Sequence, residues 1–160
     1  MNGAQAIRLG LDMADFVCQA YLADLTDEQL MMRPVEGTNH LKWQIGHLIA
    51  AEHDLINMVC PNSMPILPAG FKERYTKETS SSDDPAKFDS KQALLDAHKS
   101  QREGTLKALE KLTDSDLEKS SGVDYAPTVG GIFSMQGSHW LMHGGQWVIV
   151  RRKLGKPALF

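Results

Sequence analysis

The chain has 160 residues, of which 42% are hydrophobic and 23% charged, and a net charge of −3. That length suits one domain, 1–160, with a core large enough to need no disulfide or metal staple. The mildly acidic balance offers no basic face for nucleic acid. Two cysteines, Cys18 and Cys60, in no CxxC spacing exclude a disulfide framework and a zinc–cysteine knuckle.

In chain order, residues 3–23 place Ile7, Leu11, Ala14, Val17 and Tyr21 at helical spacing, which predicts an amphipathic helix of about five turns. Asp12 and Asp15 interrupt what would be the apolar core of a leader peptide, and no run of 18 apolar residues follows anywhere. A cytoplasmic protein without membrane contact is therefore expected. LTDEQL (25–30) offers Thr26 as a helix cap with Gln29 three residues later, a capping-box pattern that predicts a short helix ended by Pro34 and Gly37. A second long helix is expected from Asn39 to Val59, where Pro61 stops it. Residues 61–87, with four prolines and a Ser/Asp-rich tract, read as a long loop between the second and third long helices. It has three readings: a lid, a mobile linker, or the crossover that lets two consecutive helices run parallel. A third long helix is expected over Ser90–Lys111. LTDSDL (112–117) then echoes LTDEQL, with Thr113 as a second cap, and a loop through Pro127, Gly130 and Gly131 leads into the fourth long helix, within 133–154. No alternating pattern of convincing length occurs, so the fold class is all-α, a four-helix bundle.

The last helix carries His139 and His143. Four residues apart, they share one helix face, as two ligands of one metal ion must. With 6 histidines in the chain, such a pair arises by chance in roughly one chain in five. Its setting adds weight: Gly144 and Gly145 follow directly, and paired glycines inside a helix suggest a close approach to the backbone. His47, in WQIGHLIAAEHD, lies midway along the second helix, where a facing ligand would stand. HWLMH lacks the Glu of the HExxH zinc-protease motif, and the Glu-x-x-His pairs of di-iron bundles are absent. His40 and His53 read as solvated or capping residues. His98 reads as a polar core contact, and Trp43, Trp140 and Trp147 as packing. Asp54 and His98 are the residues available as a fourth ligand. Arg151 and Arg152 are expected to face the helix C-terminus and solvent.

The segments TNHLKWQIGHL (38–48) and HWLMHGGQWVIVRRKLGKP (139–157) resemble the DinB/YfiT-like superfamily of four-helix metal-binding proteins, which carry a GH motif on the second helix and an HxxxHxGQ motif on the last. The match extends to a basic tail with Arg151, Arg152, Leu154 and Gly155, and to the LTDEQL…RP segment. The resemblance implies a DinB-like domain in which His47, His139 and His143 bind a divalent metal ion, zinc or nickel foremost, with iron and manganese as alternatives. Gln146 is the candidate to bond a ligand imidazole or a bound molecule from behind. The resemblance further implies a metal-dependent enzyme with a small-molecule substrate: by analogy with mycothiol- and bacillithiol-using members, a transferase or isomerase with a low-molecular-weight thiol as co-substrate, or else a hydrolase. No acid–base residue stands out, so the catalytic residues are unassigned. A homodimer is expected on general grounds, because short bundles commonly bury an exposed apolar face against a twofold partner. The competing reading is a non-catalytic metal- or small-molecule-binding module.

Overall fold

The computed structural model describes residues 1–160. The periodic segments become four long helices, α1 (Gly3–Ala23), α2 (Leu41–Val59), α4 (Lys91–Leu109) and α6 (Val129–Lys153), with two single-turn helices, α3 (Phe71–Arg74) and α5 (Asp114–Leu117), in the connections. Their starts follow local chemistry. Asn2, Ser90, Thr113 and Thr128 each accept a backbone N–H of the first turn through their side chains, satisfying donors that have no partner inside the helix. The two echoed boxes both form. Thr26 exchanges hydrogen bonds with Gln29, and Thr113 with Asp116. The first box opens only one 3-10 turn, Gln29–Met31, because Met32 is already extended. No helix is long and apolar enough to cross a membrane.

Side-chain pairings fix the topology. Gly10 faces Gly137, and Arg151 donates to the Tyr21 carbonyl, so α1 and α6 run parallel. Arg102 and Thr105 on α4 bond Glu52 on α2 while Phe88, just before α4, meets His40 at the start of α2, so these two also run parallel. Gln44 bonds Gln146 and Trp147 while His47, later on α2, meets His139, earlier on α6, so α2 and α6 run antiparallel. Of the three readings of residues 61–87, the crossover is the one observed. It is anchored at three points, Met64, Phe71 and Tyr75, the last two buried in the same core as Trp140 and Trp147.

Buried polar groups tie the helices together. Arg102 clasps Glu52 with two parallel bonds of 2.9 and 3.0 Å, Thr105 adds a third at 2.7 Å, and His98 and Arg102 both lie 3.2 Å from Asp15. Arg151 departs from its expected solvent-facing place. It is fully buried and holds the end of α1 through the Tyr21 carbonyl and the Asp24 carboxylate. Of the two readings of His40, solvated or capping, the cap is the one observed: it is buried at the start of α2 with its Nδ1 accepting the Trp43 N–H at 3.0 Å.

Glycines mark where backbones or rings come close. A Cβ on Gly144 would lie 3.2 Å from Cys18 Sγ, and one on Gly46 would fall 2.2 Å from the Tyr75 ring. A Cβ on Gly145 meets nothing within 4 Å, so only the first of the paired glycines reports a close approach. The two classes should separate in thermal melts. Gly46→Ala is expected to destabilise by about 1–3 kcal/mol through overpacking, whereas Gly145→Ala should stabilise by up to about 1 kcal/mol through helix propensity. A neutral Gly46→Ala would show that Tyr75 does not fill that gap.

Candidate metal centre

The antiparallel seam between α2 and α6 brings His47, His139 and His143 together. His139 and His143 stack one turn apart on α6, with ring centroids 5.1 Å apart, and His47 faces them from α2 at 5.4 and 6.0 Å. One ring nitrogen from each lies within 4.8 Å of the other two. Each ring is held differently. The His47 imidazole stacks on Trp43, one turn earlier on α2, at 4.9 Å and nearly parallel. Trp43 is itself fixed by donating from Nε1 to the Thr76 carbonyl and the Thr79 hydroxyl in the crossover. His143 Nδ1 lies 3.0 Å from Gln44 Oε1, which also accepts the Trp147 Nε1–H at 2.9 Å.

Electrostatics leave the three rings neutral near pH 7. Burial pushes His143 down to about 4, helped by His139 and His47 beside it. Burial also lowers His139, with His47 adding to the shift and Glu52 opposing it, and burial alone lowers His47. Neutral imidazoles keep the lone pair that a metal ion requires. Three of them facing one another form a donor set that suits zinc, nickel, copper or iron, so the residues present fit a divalent ion.

The remaining candidates lie elsewhere. Asp54 pairs with Lys72 at the surface. His98 is buried against Trp140 and Asp15. His53 bonds Gln101 and Asn57. None joins the cluster, so no fourth protein ligand completes it. Gln146 makes no hydrogen bond to an imidazole; its Oε1 accepts from Gln44 Nε2 at 3.1 Å. Gln44 is the residue the sequence reading missed. The signal was its spacing, since it lies three residues before His47 and so shares that helix face. On the solvent side His139 borders a hollow of about 360 Å³ lined by Tyr125, Met135, Ser138 and Met142.

A family model described as the DinB superfamily matches residues 17–147. The chain also resembles a crystal structure described as a conserved protein of locus from Enterococcus faecalis, with a TM-score of 0.69 at 17% identity. That match covers 98% of this chain and 99% of the other, and at such identity the likeness is one of fold. No curated protein is significantly similar to the chain.

The depressed histidines set a pH dependence for the metal-free protein. Unfolded histidines take up protons below about 6.5, while His40 and His143 in the fold resist until about 4. Their neutral burial is therefore harmless above pH 6.5 and weakens the fold as pH falls from there toward 4. At pH 5 each should cost about 2 kcal/mol relative to pH 7.5. Melts in the presence of a chelator check this; equal melting temperatures at pH 7.5 and 5 would contradict the burial of these rings.

Proposed function

The chain belongs to the DinB superfamily, and from that premise we propose that it is a metal-dependent enzyme whose ion is held by His47, His139 and His143. One observation carries this reading: three neutral imidazoles converge where no fourth protein ligand closes the set, beside a surface hollow. A structural zinc site is closed by four protein ligands, whereas a catalytic one keeps a position open. Zinc or nickel is the favoured ion, with iron or manganese as alternatives.

An ion held there would supply Lewis acidity, lowering the pKa of a coordinated water or thiol. The favoured chemistry is addition or transfer of a low-molecular-weight thiol to a small electrophile. The thiol gives up its proton to solvent and a sulfur–carbon bond forms; in an addition the electrophile's π bond opens and the atom that receives its electron pair takes a proton from solvent, and in a transfer the electrophile's leaving group departs with the bonding pair. The chain's own contributions are geometric. Trp43 holds the His47 ring by stacking, Gln44 holds His143, and Tyr125, Met135 and Met142 give the hollow an uncharged wall against which an apolar electrophile can rest.

Elemental analysis of untagged protein tests the site. About one metal ion per chain is expected, lost in His47→Ala and His143→Ala but retained in His53→Ala, and equal losses in all three would sink the assignment. Cobalt-loaded protein tests the chemistry. Added thiol should produce a sulfur-to-cobalt charge-transfer band in the near ultraviolet. A metal-loaded protein that shows no such band with any thiol would favour the non-catalytic module.

We also propose that the chain works as a homodimer through the outer face of α1 and α6. Leu9, Met13 and Phe16 recur at helical spacing on α1 at 61%, 58% and 61% exposure, and Met142 and Ile149 are exposed on the parallel α6. Light scattering should give twice the chain mass for the wild type and a single chain for Phe16→Glu; a monomeric wild type removes the proposal.

A further inference from the structure

Gln44 is a polar residue with 1% exposure set between Trp43 and Ile45 on α2, and all four hydrogen-bonding positions of its amide are used. Its Nε2 donates to the Asn39 carbonyl at 2.7 Å and to Gln146 Oε1 at 3.1 Å. Its Oε1 faces Trp147 Nε1 at 2.9 Å and His143 Nδ1 at 3.0 Å. Two of these partners have a fixed sense. A backbone carbonyl can only accept, and an indole N–H can only donate. Together they determine which end of the amide is oxygen, a choice that heavy-atom positions alone leave open. Turning the amide over would set nitrogen against the indole N–H and oxygen against the carbonyl.

We propose that Gln44 is the positioning residue that locks His143 in its Nδ1–H tautomer and so presents Nε2 of that ring to the metal ion. The assignment rests on reading the three histidines as a metal site. Because Oε1 is an acceptor, the nitrogen opposite must carry the proton, and a neutral ring protonated at Nδ1 has its only lone pair on Nε2. Gln146 supports the arrangement one step further out by accepting the second amide hydrogen. The chain thus holds one of its three rings by a hydrogen bond drawn from the facing helix, the usual way a partner outside the coordination sphere fixes a ligand's tautomer and orientation.

The test is nitrogen-15 NMR of the histidine rings in the metal-free wild type, Gln44→Leu, Gln44→Glu and Trp147→Phe, beside zinc affinity by competition with a chelating dye. Wild type, Trp147→Phe and Gln44→Glu, which all keep an acceptor oxygen, should show His143 protonated at Nδ1. Gln44→Leu should lose that tautomer and bind zinc about 10- to 100-fold more weakly. His143 protonated at Nε2 in the wild type overturns the proposal without reference to any variant. So does a Gln44→Leu protein, folded by its melting profile, that keeps the tautomer and the wild-type affinity. A wild type with the Nδ1–H tautomer and no affinity for any divalent ion would instead sink the metal reading while leaving Gln44's hold on the ring in place.

Discussion

Two parallel helices with glycines at their crossing lie closer than side chains would otherwise permit, and that approach of α1 to α6 sets the rest of the molecule. The Gly10 carbonyl sits where a Cβ on Gly137 would come within 3.2 Å, and Cys18 presses on Gly144 while bonding the Trp140 carbonyl. A helix seated so deeply meets α1 on one side, α2 on another and α5 near its start. Its remaining exposed stripe also carries apolar residues, Leu141, Met142 and Ile149, so it shows almost none of the one-sided patterning of a surface helix, and it carries no charged residue from Val129 to Val150. With its axis and rotation fixed by α1, the His139 and His143 face of α6 can point only toward α2.

A second set of constraints works from the other side. Glu52, fully buried, is clasped by Arg102 and Thr105 and holds α2 against α4. Such a buried pair gains little net stability over apolar packing, but losing one partner strands the other at a cost of several kcal/mol. Its directional bonds specify register, which apolar contacts alone do so less sharply. The crossover completes the alignment, since Tyr75 fills the space left by Gly46 one residue before His47. The stacked Trp43 is tied to that same segment at Thr76.

Much of this was legible in the residues. Periodicity located the four long helices and placed the starts of α1, α2 and α4 to within two residues, but α6 begins at Val129 under the Thr128 cap, four residues before the expected stretch, with Gly130 and Gly131 inside its first turn and not in the loop before it. The clustering of His139 with His143 follows from helical spacing alone. That His47 faces them is a tertiary fact which helix periodicity cannot supply; its place midway along an apolar helix suggested it and the resemblance made it expected. Gln44 went unread because a lone amide between two apolar residues has no meaning until its partners, nearly a hundred residues away, are known. Arg151 misled for a related reason: a basic residue in a last turn ordinarily serves its own helix, and here it serves the end of another. Residues 61–87 were ambiguous because proline and serine content reports irregular backbone and is silent on whether that backbone is packed.

The positions of the three imidazoles along the chain carry a consequence for how the protein is assembled. His47 and His139 stand on helices separated by the whole crossover and α4, so an ion shared between them would act as a crosslink closing a very long loop. Such a link would need α2 and α6 already side by side, an arrangement held by contacts that include no metal. The seam is already built from Gln44, Trp147 and the apolar packing beneath them. Metal capture would then select the docked arrangement over partly opened ones rather than create it. It would slow separation of the two halves more than it would speed their meeting.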